Sequence, residues 1–226
     1  MYNIAVILAG GIGSRVGGET PKQLLPLADG RSILEHSIDA FELAPDIDEI
    51  AVVMHPEHIS SLQKLCQNNH WQKLTKIIPG GAERWESSYN AIKTYTAESS
   101  NDTVSFLLHD AARPYVSQRI IADVCQALQE HEAVTVAVPS TDTIYITDRN
   151  RLTSMPSRDT VWRAQTPQAF RLSTIAEAFE RALREGNIAA TDDVGIVYRY
   201  MPETPVFIVP GEEQNRKITY KEDLAE

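Results

Sequence analysis

Short apolar segments alternate along the chain with longer amphipathic ones. The apolar segments have the length and composition of strands that are buried on both faces of a sheet. They predict strands over residues 4–9, 49–54, 76–78, 104–108, 133–138 and 206–209. The amphipathic segments between them predict helices over residues 32–43, 56–66, 83–95, 117–131 and 174–186.

The ends of several predicted helices carry capping signals. Residues 32–35 (Ser-Ile-Leu-Glu) and 174–177 (Thr-Ile-Ala-Glu) have the capping-box pattern, in which a hydroxyl caps the helix and a Glu three residues later reaches back. Pro56 suits the first turn of its helix, and Gly186 suits the cap at the far end of another. These signals indicate where the helices begin and end.

Strands that alternate with helices through short connections are typical of one sheet with helices on both faces. We therefore predict a Rossmann-like α/β fold with a mostly parallel sheet, in a single domain over residues 1–226. Residues 139–162 depart from the pattern, because they are rich in Thr, Asp, Ser and Arg, and residues 143–147 alternate like an exposed hairpin strand. Polar strands with no core to join often pair with another chain. We interpret this segment as a protruding β-arm that makes a dimer contact.

The composition excludes several classes of protein. With 226 residues, 42% hydrophobic and 23% charged, the chain is neither disordered nor collagen-like nor disulfide-rich. Cys66 and Cys125 lie far apart, so we predict neither a structural zinc site nor a disulfide, and expect both thiols to be buried. The longest apolar runs are too short to span a bilayer and no signal peptide precedes the first strand, which predicts a soluble, cytoplasmic protein.

The charge balance narrows the choice of ligand. Lys and Arg number 21 against 31 Asp and Glu, so the net charge is −10. Such a surface repels nucleic acid, which requires a basic stripe for its phosphates. A small anion is still able to bind where cations and backbone N–H groups are concentrated. Segments with local positive charge are therefore the candidates for an anion-binding site.

A glycine-rich loop follows the first predicted strand. Five of the 11 glycines lie between residues 10 and 18, with Arg15 inside the loop and Lys22 just beyond it. Glycine lets the backbone approach a ligand closely, so that successive N–H groups surround phosphate oxygens. Neither the dinucleotide-binding fingerprint nor the Walker pattern is present, because Val16 stands where a third glycine belongs and no Gly-Lys-Ser/Thr follows. The flanking cations favour an anion site over a purely structural turn.

A second candidate cluster, Leu-His-Asp-Ala-Ala-Arg-Pro over residues 108–114, ends the fourth predicted strand. The carboxyl ends of parallel strands meet at one edge, so this cluster and the glycine loop are expected to share a cleft. There Asp110 is able to hold Mg²⁺ or a sugar hydroxyl, and Arg113 to bind a phosphate. The alternative is an Asp110–Arg113 ion pair that caps a turn. We expect His109 to pack or form hydrogen bonds rather than to bind a metal.

A third junction of strand and helix has the sequence Gly-Gly-Ala-Glu-Arg-Trp-Glu-Ser-Ser over residues 80–88. Its backbone amides and Arg84 are placed to contact a ligand. The alternative is that Glu83 and Glu86 are solvated carboxylates in the first turn of the helix. Trp85 is expected to pack rather than to stack on a base.

Together, six motifs resemble one family, the 2-C-methyl-D-erythritol 4-phosphate cytidylyltransferases of the non-mevalonate isoprenoid pathway. The motifs are Leu8-Ala-Gly-Gly-x-Gly-x-Arg15, Pro21-Lys-Gln23, His109-Asp-Ala-Ala-Arg-Pro114, Asp142-Thr143, Gln165-Thr-Pro-Gln168 and Lys217-Ile-Thr219. They follow the order and spacing of the family over essentially the whole chain. The His-Asp-Ala-Ala-Arg-Pro motif is specific, whereas the wider nucleotidyltransferase group shares the glycine loop. Ribitol 5-phosphate cytidylyltransferases are close relatives.

The resemblance implies a transfer of CMP from CTP to methylerythritol phosphate, with Mg²⁺ bridging the triphosphate and pyrophosphate leaving. It implies that the nucleotide is bound by Ala9, Gly10, Gly11, Gly13, Gly81, Arg84 and Ser87. It implies that the catalytic cations are Arg15, Lys22 and Lys217. It implies that the sugar phosphate is bound by Asp110, Arg113, Thr143, Arg158, Thr166 and Thr191, with Asp110 also a candidate metal ligand. In the family some of these residues come from the arm of a partner subunit, which implies a homodimer.

Three departures from the family pattern all concern the acceptor. Ile144-Tyr145 stands where a basic residue is common, Ser157 where an acidic one is common, and Asp192-Asp193 where Asp-Glu is common. Ribitol 5-phosphate or another polyol phosphate is therefore the alternative acceptor. Ala111-Ala112 favours methylerythritol phosphate, because the ribitol enzymes tend to have Ser-Val at these two positions. A nucleotide-binding protein without catalysis is a further alternative, which the full set of implied catalytic residues disfavours.

Overall fold

The structure is a computed structural model that describes residues 1–11, 21–98, 103–186, 188 and 190–224. The strands are β1 (Tyr2–Ala9), β2 (Glu49–Met54), β3 (Leu74–Pro79), β4 (Val104–Asp110), β5 (Ala133–Pro139), β6 (Ile146–Asp148), β7 (Arg151–Ser154), β8 (Trp162–Arg171) and β9 (Val206–Pro210). The α-helices are α1 (Ile33–Glu42), α2 (Ile59–Asn69), α3 (Arg84–Glu98), α4 (Gln118–Ala127), α5 (Leu172–Glu185) and α6 (Asp193–Tyr200). Short 3-10 helices cover Lys22–Leu24, Pro56–His58, Arg158–Thr160 and Lys221–Leu224. None of the helices in the described part of the chain is long and apolar enough to cross a membrane.

Seven strands form one sheet in the order β3-β2-β1-β4-β8-β5-β9. Neighbouring strands run parallel, except that β8 is antiparallel to both of its neighbours, β4 and β5. The prediction of a mostly parallel, Rossmann-like α/β sheet is therefore confirmed. Because β1, β2, β3 and β4 are parallel, their carboxyl ends lie at one edge of the sheet, where such folds bind ligands.

Alternate side chains of the sheet enter two apolar cores, one on each face. In β1, Ile7 packs in the core that contains α1, α2 and α4, whereas Val6 and Leu8 pack in the core that contains α3, α5 and α6. Helices thus cover both faces, as predicted. Cys125 is buried in the first core and Cys66 packs partly buried against it, and burial raises the pKa of both thiols.

One of the two predicted capping boxes is present and the other is wrong. The Ser32 hydroxyl accepts a hydrogen bond from the Glu35 N–H (3.3 Å), and the Glu35 carboxylate accepts one from the Ser32 N–H (2.7 Å). The other helix, α5, begins before Thr174, because β8 runs directly into it at Arg171. Thr174 therefore lies inside the first turn and donates to Glu132 (3.4 Å) instead of capping. The α5 cap at Gly186, with φ 73°, is confirmed.

Among the described residues, strand β8 and helix α6 are the longer elements that the hydrophobic pattern did not predict. The sequence of β8 is Trp-Arg-Ala-Gln-Thr-Pro-Gln-Ala-Phe-Arg. Pro167 and the many polar residues give this segment no apolar pattern that would predict a buried strand. Gln165 and Gln168 are nevertheless buried, and hydrogen bonds to other segments satisfy them. The Thr166–Pro167 peptide bond is cis. Helix α6 has only eight residues and carries Gly195 in its first turn, so its sequence gives a weak helical signal.

Residues 139–162, the predicted arm, carry a small hairpin outside the main sheet. Strands β6 and β7 pair antiparallel through a turn at Arg149 and Asn150, which have φ of 43° and 67°. The exposed hairpin is thus confirmed, although its first strand covers Ile146–Asp148 rather than residues 143–147. The exposed large apolar side chains of residues 139–162 are Ile144, Tyr145, Ile146, Leu152, Met155 and Trp162. The dimer contact remains a prediction.

A hydrogen-bonded carboxylate joins several elements at the amino end of β2. The Oε1 atom of Glu49 accepts hydrogen bonds from the hydroxyls of Tyr95 (2.7 Å) and Thr75 (2.6 Å). The same atom accepts one from Lys76 Nζ (2.8 Å), and Oε2 accepts one from the Tyr2 hydroxyl (3.2 Å). Burial raises the pKa of Glu49, but the hydrogen bonds outweigh burial, so this pKa lies below its ordinary value.

We expect Tyr95→Phe to lower the free energy of unfolding by about 1–3 kcal/mol, because it removes a buried donor from the Glu49 carboxylate. Tyr2→Phe is the matched control: Tyr2 is 46% exposed, so loss of its hydroxyl lowers the free energy of unfolding by about 0.5 kcal/mol or less.

Because folding lowers the pKa of Glu49, the ionised carboxylate contributes fully to the free energy of unfolding above the unfolded pKa of about 4.3. This contribution is lost as the pH falls towards the folded pKa. Urea unfolding at several pH values measures this; equal losses in both variants contradict the assignment.

Candidate functional site

A cavity of about 540 Å³ opens at the edge of the sheet where β1, β3 and β4 end. Its walls combine the backbone of two glycine-containing segments with charged side chains. The lining residues are Leu8, Gly10, Gly11, Lys22, Gln23, Gly81, Ala82, Glu83, Arg84, Ser87, Asp110, Ala112, Lys217 and Thr219. The three segments that the sequence singled out therefore meet at one place, as the rule for parallel sheets predicts.

The glycines after β1 and β3 allow the two loops to approach each other closely. A Cβ atom on Gly10 would lie 2.7 Å from Ser87 Oγ, and one on Gly80 would lie 3.2 Å from the Gly10 Cα. The Ser87 hydroxyl accepts a hydrogen bond from the Gly81 N–H (3.2 Å), which connects the loop to α3. At Gly10 a side chain does not fit without a shift of Ser87, so the close approach requires glycine.

The 3-10 helix at Lys22–Leu24 supports the glycine segment from the other side. Gln23 is buried, and its Nε2 donates to the carbonyl oxygens of Ala9 (3.3 Å) and Gly11 (2.6 Å). Lys22 Nζ donates to the Ile218 carbonyl (2.6 Å) and so joins this turn to the C-terminal segment. No role was predicted for Gln23, because nothing in the sequence indicates that this amide is buried.

Asp110, at the end of β4, is the centre of a cluster of ion pairs. Its Oδ2 lies 2.7 Å from Lys217 Nζ and 4.0 Å from Arg113 Nε, and its Oδ1 lies 3.4 Å from Arg84 Nε. Burial alone would raise the pKa of Asp110, but the positive charges of Arg84 and Lys217 outweigh burial and hold it well below its usual value. Asp110 is therefore ionised at neutral pH.

Arg84 also pairs with a second carboxylate that the sequence did not single out as functional. Its Nη2 lies 2.8 Å from Oδ2 of Asp193, which is fully buried at the first residue of α6. Burial would lower the pKa of Arg84, but Asp193 and Asp110 raise it, so the guanidinium stays charged. Among the described lining residues, Lys22, Arg84 and Lys217 stand against Glu83 and Asp110, which is a small excess of positive charge in a protein of net charge −10.

Most of the residues implied for the nucleotide and for catalysis border this cavity. Those that line it are Gly10, Gly11, Gly81, Arg84, Ser87, Lys22 and Lys217. Ala9 is buried beside it, with its carbonyl bound by Gln23. Gly13 and Arg15 lie outside the described residues. The functional roles of all these residues remain predictions.

The residues implied for the acceptor are more scattered. Asp110 lines the cavity, whereas Arg113 is largely buried and donates to the carbonyls of Asn215 (2.8 Å) and Ala164 (3.3 Å). Thr143 and Arg158 are exposed on the arm, 3.4 Å apart (Oγ1 to Nη2). The two remaining implied residues are Thr166, which is buried, and Thr191, which is exposed just before α6. Their roles as acceptor ligands remain predictions.

The carboxylates of the cavity suit a cation that enters with an anionic ligand. Mg²⁺ prefers oxygen ligands and is usually held by one or two carboxylates together with phosphate oxygens. Asp110 and Glu83 are the carboxylates among the described lining residues, and Asp110 already contacts Lys217 and Arg84. The donor set therefore fits a magnesium ion held mainly by ligand phosphates, for which Asp110 is the candidate protein ligand.

One other cluster of metal-ligand types lies in the described part of the chain. His55, Glu57 and His58 have donor atoms within 4.8 Å of one another. None of the three lines the cavity, and Nδ1 of His55 already accepts a hydrogen bond from the Glu57 N–H (3.4 Å). This cluster therefore forms no part of the candidate site.

Gly10→Ala is expected to lower the free energy of unfolding by about 1–3 kcal/mol, because the new Cβ overlaps Ser87 Oγ at the contact between the two loops. Gly11→Ala is the matched control, since among the described residues its Cβ would meet only Gln23 Nε2, at 3.8 Å, and it should change stability by about 0.5 kcal/mol or less. Urea unfolding of both variants measures the difference. Equal effects at the two positions mean that the close contact at Gly10 is unimportant.

The comparisons with known proteins agree over the whole chain. The family model for 2-C-methyl-D-erythritol 4-phosphate cytidylyltransferase (IspD) matches residues 3–226. A protein of that name from Thermobifida fusca is 47% identical over 226 residues, which cover 98% of this chain and 90% of that protein. A bifunctional ribulose 5-phosphate reductase/CDP-ribitol pyrophosphorylase from Haemophilus influenzae is 37% identical over 224 residues, 98% of this chain and 46% of that protein.

Solved structures share the fold as well. A 4-diphosphocytidyl-2C-methyl-D-erythritol synthase from Anaerococcus prevotii matches with a TM-score of 0.84 at 28% identity, covering 99% of this chain and 92% of that one. The 2-C-methyl-D-erythritol 4-phosphate cytidylyltransferase of Francisella tularensis has a TM-score of 0.80 at 28% identity, with coverage of 99% and 97%. On the evidence of sequence and structure alike, the chain belongs to the 2-C-methyl-D-erythritol 4-phosphate cytidylyltransferase family.

Proposed function

We propose that the protein transfers CMP from CTP to 2-C-methyl-D-erythritol 4-phosphate and releases pyrophosphate. Membership of the family over residues 3–226 supports this activity. The observation that carries it is the convergence of a glycine segment and three cations, Lys22, Arg84 and Lys217, on one cavity of about 540 Å³. A cavity with that lining is suited to a triphosphate in a protein that is otherwise acidic.

The nucleotide occupies the part of the cavity between the two glycine-containing loops. The backbone at Gly10 and Gly11 lies where a phosphate chain is able to approach it without side-chain interference. Gly81 and Ser87, which are hydrogen-bonded to each other, form the wall for the cytidine. Arg84 stays charged beside them, since two carboxylates hold it in place.

The chemical step requires charge stabilisation and positioning more than covalent catalysis. An oxygen of the acceptor phosphate attacks the α-phosphorus of CTP in line; a new P–O bond forms as the bond to the β-phosphate oxygen breaks. The acceptor is already an anion, so no general base is needed. Lys22 and Lys217, which are far apart in the sequence, both line the cavity and offset the charge that develops, together with Arg15, which lies outside the described residues.

Mg²⁺ is the proposed metal, and it neutralises part of the charge of the triphosphate when bound. Asp110 is the residue that would hold it, because its carboxylate is ionised and lines the cavity. Lys217, 2.7 Å from Asp110, is held beside the same position and lines the cavity for phosphate oxygens. The protein groups therefore orient the reactants and keep the site positive.

We further propose that the acceptor site is completed by the arm of a partner subunit, in a homodimer. Thr143 and Arg158 lie together on the arm and are exposed to solvent, outside the cavity of their own chain. The exposed apolar side chains of the arm, among them Tyr145 and Leu152, suit a surface that another chain covers. A partner arm that brings Arg158 to the cavity supplies a further cation for the acceptor phosphate.

Ribitol 5-phosphate is the second candidate acceptor. The Haemophilus influenzae relative, 37% identical over 224 residues, is named as a CDP-ribitol pyrophosphorylase. Tyr145 and Ser157, which depart from the pattern of the isoprenoid enzymes, both lie on the arm that we place at the acceptor. Ala111 and Ala112, beside Asp110, favour methylerythritol phosphate.

We expect pyrophosphate release from CTP and Mg²⁺ to be at least about 100-fold faster, in kcat/KM, with methylerythritol phosphate than with ribitol 5-phosphate. The two acceptors are run side by side, with an assay lacking acceptor as the blank. The opposite preference assigns the protein to polyol-phosphate activation. CTP binding by calorimetry without turnover on either acceptor contradicts the proposed enzyme activity.

Mixing two inactive variants tests the shared site. Lys217→Ala and Arg158→Ala are each expected to lose turnover by about 10²-fold or more, because each removes a cation that contacts a reactant. If Arg158 acts on the partner's cavity, a mixed dimer contains one intact site. Subunit exchange then restores about a quarter of the wild-type activity, as random pairing in a two-fold dimer requires. No recovery after verified exchange contradicts a site built from two chains.

A further inference from the structure

His109 and Thr166 lie beside the cavity without lining it. His109 is fully buried near the end of β4, and Thr166, on the neighbouring strand β8, is only 4% exposed. The ring of His109 packs edge-on against Phe41, with ring centroids 5.0 Å apart. The sequence predicted a packed or hydrogen-bonded role for His109, and the structure shows both.

The direction of each hydrogen bond around His109 follows from its partners. The Arg113 carbonyl oxygen only accepts, so Nε2 of His109, 3.0 Å away, carries a proton and donates it. His109 is fully buried, and its two ring nitrogens face an uncharged carbonyl and an uncharged hydroxyl, so the neutral ring fits this site and Nδ1 is an acceptor. The Thr166 hydroxyl, 3.0 Å from Nδ1, is therefore the donor to it.

Thr166 connects His109 to the backbone of Asp110. Its Oγ1 accepts a hydrogen bond from the Asp110 N–H (3.1 Å). A turn closes on the same residues, because the Arg113 N–H donates to the Asp110 carbonyl (3.0 Å). Both ends of the turn over residues 110–113 are thus held by one buried chain of hydrogen bonds through Thr166 and His109.

We propose that His109 and Thr166 are positioning residues that set the place of the Asp110 carboxylate in the cavity. Asp110 in turn holds Lys217 (2.7 Å), so a shift of its backbone displaces a cation that the transfer uses, whereas Arg84 is also held by Asp193 (2.8 Å). A misplacement of about 1 Å is enough to lower a rate by about 10²-fold. This inference rests on the proposed function for its effect on turnover, but not for its effect on the backbone of Asp110.

The chain of hydrogen bonds from the Asp110 N–H through Thr166 and His109 to the Arg113 carbonyl is a relay. This relay also limits the hydrogen bonds that Thr166 is able to form with a ligand. Its proton is donated to His109, and one lone pair is used by the Asp110 N–H. A hydroxyl has one proton and two lone pairs, so Thr166 retains one lone pair for a further donor. Thr166 therefore acts on the acceptor chiefly through Asp110.

Thr166→Val removes the hydroxyl and keeps the volume of the side chain. We expect it to lower kcat by about 10²-fold while KM for CTP changes by less than about threefold, because the reacting groups are misplaced and the nucleotide loops are untouched. Thr166→Ser keeps the hydroxyl and restores most of the lost turnover. His109→Leu gives a similar loss, and the double variant with Thr166→Val is no slower than the worse single variant, since both break one relay.

Thr135→Val is the matched control. Thr135 lies on β5 beside β8, its hydroxyl is buried, and it has no hydrogen-bond partner among the described residues. The same substitution there should leave kcat within about twofold of the wild type. If Thr135→Val is as slow as Thr166→Val, general packing explains the effect and the proposal is wrong.

Amide hydrogen exchange tests the relay without any assay of activity. In Thr166→Val the Asp110 N–H loses its acceptor, and its exchange should accelerate by at least about tenfold, whereas Thr135→Val leaves it unchanged. Wild-type exchange at Asp110 together with wild-type kcat in Thr166→Val overturns the proposal. If the Asp110 N–H exchanges faster in Thr166→Val but the wild-type protein turns over neither acceptor, the relay is supported and the proposed function is contradicted. Should His109→Leu fail to fold, the isosteric Thr166→Val still decides the matter.

Discussion

The site depends on one constraint, the negative charge of a buried carboxylate at the end of β4. A buried carboxylate costs several kcal/mol unless opposite charges surround it. Around Asp110 those charges come from three separate parts of the chain: Arg84 at the start of α3, Arg113 in the following turn and Lys217 near the C-terminus. Pairing Asp110 therefore requires these segments to converge, and their convergence forms the wall of the cavity.

This arrangement explains how an acidic protein is able to handle two polyanions. The net charge is −10, but among the described lining residues three cations, Lys22, Arg84 and Lys217, face two carboxylates. Because carboxylates already hold Arg84 and Lys217, the cations are oriented before a ligand arrives and lose little freedom on binding. The glycine segments supply the complementary feature, a backbone that a phosphate is able to approach.

Much of the fold followed from local patterns. The strand at Glu49–Met54 was predicted at its observed bounds, and the Ser32 capping box formed as its sequence indicates. The three candidate clusters met at one edge because the strands before them are parallel. The error at the start of α5 follows from the missed strand β8: Thr174 was expected to cap the helix, but β8 ends at Arg171 and the helix begins at Leu172.

The sequence by itself thus determined the α/β architecture, the family and the segments that form the candidate site, since apolar periodicity and short motifs are local properties. The tertiary structure alone decided that the polar segment β8 lies inside the sheet. Its buried side chains find their partners far away in the chain, Thr166 at His109 and Gln168 at Asp192. It also decided that Arg84 lies between two carboxylates. A buried polar group is stabilised by whatever the fold places beside it, and that neighbour has no fixed spacing in the sequence.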